Sequence, residues 1–203
     1  MKKLISLFLG LSLIAANIIN TNAKILDIKP DEPALRAPTK EVTSFDNELN
    51  TLIDDMAETM NKNGGVGIAA PQVGKSLRIF LVKYNGKIKE YINPKITFTE
   101  GKQMSIEGCL SVPGIIGIVK RPNHIKGEAY DRNGKTFNFD ATGDEARIIC
   151  HENDHLYGKL FTDKDRAIKT FTNTQFTLLG IASAVGIAAI VTAIGYGVYS
   201  LTK

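Results

Sequence analysis

Two histidines and a glutamate close together in the sequence could provide the ligands and the base of a metal-dependent hydrolase. His151 and His155 are four residues apart, and Glu152 directly follows the first of them. Residues with this spacing lie on one face of a helix, so the two imidazoles can bind the same metal ion. Glu152 can then reach a water molecule on that metal. We favour this interpretation over a surface helix without function, because the chain has only three histidines and two cysteines.

Two further stretches could complete such a site. Residues 107–113 read Glu-Gly-Cys-Leu-Ser-Val-Pro and contain Cys109, whose thiol is a candidate third ligand. Residues 65–72 read Gly-Val-Gly-Ile-Ala-Ala-Pro-Gln, where glycines allow close approach of a backbone and Gln72 offers an amide donor. Each stretch alone is weak evidence, since a lone cysteine is more often a small buried apolar residue and a glycine-rich turn needs no function.

The three stretches together resemble the signatures of the peptide deformylases, which read G-x-G-x-A-A-x-Q, E-G-C-L-S and H-E-x-D-H. All three are present here in that order. The resemblance covers about residues 25–165, and it includes the Asn133-Gly134 pair and the run Gly-Lys-Leu-Phe at 158–161. Three matching motifs in order make the resemblance specific.

The resemblance implies a metal site and a catalytic base. Cys109, His151 and His155 would bind one divalent metal ion. This ion is typically Fe²⁺ in the family, and Zn²⁺ also suits the ligand set. Water would take the fourth position, and Glu152 would accept its proton and pass it to the leaving amine.

The resemblance also implies how an N-formylated peptide substrate is held. The Gln72 side chain and the Leu110 backbone N–H would donate hydrogen bonds to the oxyanion. Gly67 would pair with the substrate backbone as a strand does. The products would be formate and a peptide with a free amino terminus. Arg121 and Asp154 would form an ion pair that holds the metal-binding helix.

The fold that the resemblance implies is α+β, with antiparallel strands in small sheets wrapped around a central metal-binding helix. Periodicity by itself indicates only a mixed α and β protein. Ser44 is expected to cap a first helix that runs to about residue 61 and stops at Gly64. Thr142 and Glu145 are expected to form a capping box at the start of the metal-binding helix, which can end at Gly158. Strands are expected at 77–84, 88–92, 124–130 and 135–139, the last two forming a hairpin.

Two charged residues on the metal-binding helix depart from the family pattern. Asp144 and Arg147 share a face with the two histidines, at positions i, i+3, i+7 and i+11. The family generally has apolar residues there, which help to line the pocket for formyl-methionine. We therefore predict that both contact the substrate, with weak turnover of formyl-methionine peptides and better turnover when the first residue is polar or acidic. The alternative is structural, because Asp144 suits a helix N-terminus and can pair with Arg147.

The two ends of the chain lie outside the resemblance. Residues 1–23 have the basic start, the apolar stretch and the small residues of a secretory signal peptide, with a cleavage site after Ala23. An uncleaved membrane anchor is the alternative. Residues 24–169 would form the hydrolase domain. Residues 176–201 are uncharged and long enough to span a bilayer, so we predict a C-terminal transmembrane helix rather than a buried soluble one.

Charge and composition limit the partners and the location. The 25 Lys and Arg against 21 Asp and Glu give a net charge of only +4, without a basic stripe for nucleic acid. Two cysteines are too few for a disulfide framework. The leader favours a membrane-associated domain that is exported. Basic residues before the tail, at 164, 166 and 169, favour the cytoplasmic side instead, and we give slightly more weight to the leader.

Two other functions fit parts of the sequence. One is a deformylase-derived, membrane-tethered protein that binds its partner without catalysis, although all the expected metal-site residues are retained. The other is an exported metalloprotease that uses His151, Glu152 and His155 with a third ligand downstream. After His155 the chain has no further histidine and only acids such as Asp163, which argues against a protease.

Overall fold

The structure of the chain is a computed structural model that describes residues 23–30, 33–163, 167–172 and 174. These residues form three α-helices, one 3₁₀ turn and eight strands. The helices are α1 (Pro33–Arg36), α2 (Asn47–Lys62) and α3 (Gly143–His155), and the 3₁₀ turn is Ala70–Val73. The strands are β1 (Gly67–Ala69), β2 (Ile79–Tyr84), β3 (Lys87–Glu100), β4 (Gln103–Cys109), β5 (Val112–Arg121), β6 (His124–Tyr130), β7 (Thr136–Thr142) and β8 (Ala167–Thr172).

Helix α2 forms because apolar residues recur along one of its faces. The buried apolar residues of this face are Leu49, Ile53, Met56 and Met60. The expected cap at Ser44 is wrong, since Asp46 is the N-cap residue and its side chain accepts the Leu49 N–H at 2.9 Å. A carboxylate three residues before Leu49 reaches that N–H, whereas the Ser44 hydroxyl donates to Asp46 instead. The helix ends at Lys62, and Gly64 follows with φ +66°, as the sequence predicted.

The larger sheet is antiparallel, with the strand order β1-β2-β3-β6-β7. The expected hairpin of β6 and β7 is confirmed, with Gly134 at φ +78° in its turn. Strand β3 is much longer than the expected 88–92. Pro94 has no N–H to donate to a neighbouring strand. The strand continues past Pro94 because its register shifts there and Asn93 adopts a positive φ. The Asn93 side chain fixes this irregularity by bonding both the N–H and the C=O of Val42.

The smaller sheet is also antiparallel, with the order β4-β5-β8. Strand β8 pairs with β5 from Thr172 opposite Ile115 to Ala167 opposite Val119. The sequence predicted a hydrolase domain that ends at residue 169. Strand β8 continues past that residue to Thr172. The turn between β4 and β5 contains Leu110 and follows directly after Cys109.

Helix α3 is the central element of the molecule. It contacts β1, β2 and β7 of the larger sheet, and the end of β4 in the smaller sheet approaches its last turn. Nine of its 13 residues are buried. The expected α+β fold, with antiparallel strands in two sheets around this helix, is confirmed.

The start of α3 differs in detail from the expectation. Thr142 is the residue before the helix, but its side chain makes no capping hydrogen bond, so the capping box with Glu145 does not form. Thr142 is also the last residue of β7 and pairs with His124, which directs its side chain to solvent. Gln103 connects this end of the helix to β4, because its side chain donates to the Gly143 carbonyl at 2.8 Å. The helix ends at His155, and Gly158 follows with φ +66°.

No helix in the described part of the chain is long and apolar enough to cross a bilayer. The expected transmembrane helix at 176–201 lies outside the described residues, and so does the expected signal peptide up to residue 22. Both remain interpretations of the sequence.

Candidate active site

The three expected metal ligands meet where α3 approaches the end of β4. Cys109, His151 and His155 each offer one ligand atom, and these atoms all lie within 4.8 Å of one another. The Cys109 Sγ is 3.4 Å from the His155 Nε2. One thiolate and two imidazoles are ligands that a catalytic Zn²⁺ or Fe²⁺ site accepts, and three protein ligands leave a position open for water or substrate. The residues present therefore fit a divalent metal ion.

A buried glutamate that the sequence analysis did not identify orients the first histidine. Glu107 is fully buried, and its Oε2 lies 2.8 Å from the His151 Nδ1. An ionised carboxylate only accepts hydrogen bonds, so Nδ1 carries the proton and Nε2 keeps its lone pair for a metal. Glu107 precedes Cys109 by two residues, a spacing that puts both on one face of a regular strand, although the pairing of β4 with β5 is irregular between them. This two-residue spacing is the feature of the sequence from which Glu107 could have been identified.

Arg121 connects this glutamate to helix α3. Its Nε and Nη2 donate to the two oxygens of Glu107, each at 2.8 Å, and its Nη1 donates to the Asp154 Oδ2 at 2.5 Å. The ion pair of Arg121 and Asp154 that the resemblance implied is therefore present. Burial by itself would raise the pKa of Glu107, but hydrogen bonds from Arg121 and His151 outweigh it and hold that pKa well below its usual range.

The two ligand histidines have opposite electrostatic environments. Burial would lower the pKa of His151, but its interactions with Cys109 and Glu107 outweigh burial and raise it. Burial lowers the pKa of His155, and the nearby His151 lowers it further. His155 is thus neutral, the state in which an imidazole binds metal. At His151 a metal ion competes with a proton, so metal binding weakens as the pH falls.

Glu152 is buried next to these ligands without a fixed partner for one oxygen. It is 4 % exposed, and within the described residues its Oε2 accepts no hydrogen bond. Burial raises the pKa of Glu152 to about 7, with the charge on His151 opposing the rise and the charge on Glu107 adding to it. Gly67 provides the space, because a Cβ at that position would overlap the Glu152 carboxyl group. A carboxylate that is protonated near neutral pH is suited to carry a proton back and forth.

The candidate oxyanion donors lie near the Cys109 sulfur. Gln72 is fixed by its own Oε1, which accepts the Ala69 N–H at 2.8 Å. Its Nε2 is thereby directed toward Cys109 Sγ at 3.5 Å and Ser111 Oγ at 3.4 Å. Leu110 follows Cys109 in the chain and lines the same cavity. Both donors therefore lie beside the metal ligands.

One cavity of about 260 Å³ joins most of these groups. Its wall is formed by the glycine-rich stretch, the turn after Cys109, the start of β5 and one face of α3. The site residues at this wall are Gly67, Gln72, Cys109, Leu110, Arg147, His151 and Glu152. Asp144 does not line the cavity, and it lies 3.3 Å from the Arg147 Nε. Of the two charged residues expected at the substrate, only Arg147 is at the cavity.

Comparison with known proteins gives the same family throughout. The family model described as Polypeptide deformylase matches residues 22–171, which include all of β8 except its last residue. Peptide deformylase 1 of Bacillus cereus is 49% identical over 140 residues, which is 68% of this chain and 89% of that protein. Peptide deformylase of Acetivibrio thermocellus is 48% identical over 130 residues, 64% of this chain and 76% of that protein.

Solved structures agree with these sequence matches. The crystal structure of peptide deformylase from Thermotoga maritima has a TM-score of 0.69 at 37% identity, covering 71% of this chain and 99% of that one. The enzyme from Synechococcus elongatus in complex with actinonin has a TM-score of 0.67 at 33% identity, covering 85% of this chain and 87% of that one. Because the family model matches most of the chain and these relatives agree with it, the chain belongs to the polypeptide deformylase family.

Proposed function

We propose that this chain hydrolyses the N-formyl group of peptides and releases formate. The observation that carries the proposal is that Cys109, His151 and His155 converge beside the buried carboxyl group of Glu152, at the wall of one cavity. The names of the relatives support the reaction. Hydrolysis of an amide needs a base for water, a proton for the leaving amine and donors for the oxyanion, and the cavity contains a residue for each.

The residues of the chain divide this work among them. A bound divalent metal ion would supply Lewis-acid chemistry and lower the pKa of water at the open position. Glu152 would take a proton from that water and give it to the amine nitrogen that leaves. Gln72 Nε2 and the Leu110 N–H would donate to the oxygen that gains negative charge. Gly67 leaves room for the Glu152 carboxyl group and would approach the substrate backbone.

The proposed resident metal is Fe²⁺, with Zn²⁺ as the alternative. One thiolate and two imidazoles bind either ion, so the geometry supports a divalent metal without distinguishing them. Metal analysis of the full chain purified without oxygen and without added metal should find Fe²⁺ in at least half of the molecules. A zinc-loaded, iron-free chain with full activity would contradict the choice of Fe²⁺.

The proposed preference for polar or acidic first residues is supported by one side chain at the cavity. Arg147 is 5 % exposed and is the only lysine or arginine among the described residues that line the cavity. A guanidinium at the wall favours a substrate carboxylate and disfavours a hydrocarbon side chain that would be buried against it. Asp144 would act only through Arg147.

The direct test is formate release by the full metal-loaded chain. Formyl-Met-Ala-Ser, formyl-Glu-Ala-Ser and formyl-Lys-Ala-Ser should all be offered at equal concentrations. We expect release from each, with formyl-Glu fastest. Tight binding of these peptides with no formate release would favour the alternative of a membrane-tethered binding protein without catalysis.

A metalloprotease that uses the same helix is less well supported. Such an enzyme was expected to take its third ligand downstream of His155. In the described part of the chain, the only group of three metal-binding side chains takes Cys109, which lies upstream. Cleavage of an unformylated peptide without formate release would be needed to restore this candidate.

Membrane attachment and export are proposed from sequence features outside the described residues. The uncharged stretch at 176–201 supports a membrane tether, and the leader supports an exported domain. Protease treatment of intact cells with the outer barriers opened should digest the domain. Complete protection of the domain in that experiment would place it on the cytoplasmic side.

A further inference from the structure

The first described residues of the chain dock on two elements of the domain. The Lys24 N–H donates to the Asp55 carboxylate at 2.6 Å, and the Leu26 N–H donates to the Thr59 hydroxyl at 2.8 Å. Both acceptors lie on one side of α2. Farther along, the Lys29 N–H donates to the Gln72 carbonyl at 2.7 Å. The segment 24–29 therefore connects α2 to the turn that holds a candidate oxyanion donor.

Asp55, which accepts the Lys24 N–H, has no positively charged partner among the described residues. Asp55 is 8 % exposed, and within the described residues it forms no ion pair with lysine, arginine or histidine. The neighbouring Asp54 has one, since it pairs with Arg132 at 2.9 Å. A buried carboxylate without a positive partner is costly, and a single neutral N–H compensates only part of that cost. A positive charge on the Lys24 nitrogen would therefore stabilise the Asp55 carboxylate.

A second observation, from the sequence, concerns the same nitrogen. The residues before it read Thr-Asn-Ala at 21–23, after a basic start and an apolar stretch. This order is typical of a secretory leader, which is cleaved after a small residue. The peptide bond between Ala23 and Lys24 is therefore the expected cleavage site. Its nitrogen atom is the one that donates to Asp55.

We propose that the chain is processed between Ala23 and Lys24, and that the new α-ammonium group of Lys24 forms a partly buried ion pair with Asp55. In this step an endopeptidase with specificity for small residues adds one water molecule across the amide bond. Ala23 leaves with the carboxylate, and the Lys24 nitrogen gains the protons that make it an ammonium. The neutral hydrogen bond at this position becomes a charge-assisted one.

Processing would thereby strengthen the support of the active site. The paired terminus fixes the segment 24–29 at its first residue, and the same segment bonds the Gln72 backbone at its other end. Leu26 packs against the core cluster that also contains Val73, the last residue of the 3₁₀ turn. The inference concerns the maturation of the chain and does not depend on which peptide it hydrolyses.

Intact mass and N-terminal sequencing of the full chain, recovered from membranes of an expressing bacterium, test the cleavage. We expect Lys24 as the first residue and no Met1 form. A first residue other than Lys24, or a chain that keeps its leader, would overturn the proposal. This measurement needs no substitution and is independent of folding.

Titration of the α-amino group tests the ion pair. Reductive ¹³C-methylation of the processed chain gives the terminal amine its own NMR signal. We expect its pKa at least about one unit above the ordinary 7.7–8.0. The variant Asp55→Asn keeps an oxygen that accepts the hydrogen bond, so it removes only the charge, and the pKa should return to the ordinary range.

The charged groups near Asp55 determine the control. Glu58 and Lys62 lie at i+3 and i+7 on α2, and Lys24 and Asp27 lie on the docked segment. Asp27 is exposed and makes no ion pair within the described residues, so Asp27→Asn removes the same charge without touching the terminus. We expect this variant to leave the α-amino pKa within about 0.3 unit of the wild-type value, as for surface charges screened by salt. An ordinary wild-type pKa, or equal shifts in both variants, would overturn the ion pair.

Discussion

The two ends of helix α3 differ in what their charged side chains contact. Toward its C-terminal end, His151 and Asp154 are linked through Glu107 and Arg121 by contacts of 2.5–2.8 Å. Toward its N-terminal end, the Arg147 Nε lies 3.3 Å from Asp144, at the edge of the cavity. The first arrangement leaves little freedom to the metal ligands. The second lies at the cavity wall, so we expect its substitution to change the choice of substrate more than metal binding.

Loss of a metal ligand should have the largest effect. Cys109→Ala removes the thiolate, so we expect metal content to fall below about a tenth of an equivalent and formate release to fall by at least about 1000-fold. Metal analysis and a formate assay on the same sample measure both. Cys150→Ala is the matched control, because this buried thiol belongs to the apolar core and should leave metal content unchanged. Full metal and activity in Cys109→Ala would remove Cys109 from the site.

The network behind the ligands should be the next most sensitive. Glu107→Gln leaves the buried Arg121 without its bidentate partner, so we expect a loss of about 3 kcal/mol in the free energy of unfolding. Metal affinity should fall by about 10- to 100-fold, because glutamine keeps only one acceptor oxygen for the donors of Arg121 and His151. Urea unfolding of the metal-free protein and competition with a chelator measure the two effects.

An exposed ion pair gives the contrast for that prediction. Glu128 faces Lys95 at 3.9 Å, with both side chains more than half exposed. Glu128→Gln should change the free energy of unfolding by less than about 0.5 kcal/mol and should leave metal affinity unchanged. Equal effects of the two substitutions would show that the buried network does not hold the site.

This contrast also explains what the sequence could predict. The candidate metal ligands and Glu152 belong to recognisable motifs, so residue type, spacing and the family resemblance could predict that they come together, as Cys109, His151 and His155 do. Glu107 was missed because its role depends on the pairing of β4 with β5, which brings Arg121 opposite Gln103 at one end and into contact with the carboxylate. The cap at Asp46 was missed because serine and aspartate two residues apart offer equally good caps to a sequence pattern.

The cavity wall shows a second limit of sequence reasoning. Helical spacing predicted that Asp144 and Arg147 lie on the side of α3 that carries the histidines, and Arg147 lines the cavity together with His151. The i, i+3 spacing also allowed the pair of Asp144 with Arg147 that the structure contains, but it could not show that Asp144 does not line the cavity. Likewise, the length of β3 depends on the irregularity at Asn93, which no hydrophobic period encodes.

The pH dependence of activity should follow the protonation of Glu152. Burial raises its pKa to about 7, and the base acts only when ionised, so kcat/KM should fall as the pH decreases through this range. A bound metal ion would add positive charge near Glu152 and lower its pKa. The acidic limb of the plot of kcat/KM against pH would then move to lower pH. Formate release from pH 5 to 9 at saturating metal measures the limb. A rate that increases steadily as the pH is lowered would contradict the role of Glu152.

Substitution of the cavity wall should have the smallest effect and should change selectivity. In the double variant Asp144→Leu, Arg147→Ile, we expect kcat/KM for formyl-Met-Ala-Ser to rise and that for formyl-Glu-Ala-Ser to fall, each by about tenfold. Metal content should stay unchanged. Arg132→Ile is the control, because this arginine pairs with Asp54 and Glu90 and does not line the cavity. If the double variant leaves the ratio of the two substrates unchanged, Arg147 has only a structural role.

The central claim is that the buried carboxyl group of Glu152 moves the proton while Cys109, His151 and His155 hold the metal. Formate release by the metal-loaded variant Glu152→Gln tests this most directly, because glutamine has the same size and cannot accept the proton. The account predicts a full equivalent of metal and a loss of about 1000-fold in kcat. A metal-loaded Glu152→Gln chain that releases formate within about tenfold of the wild-type rate would contradict it.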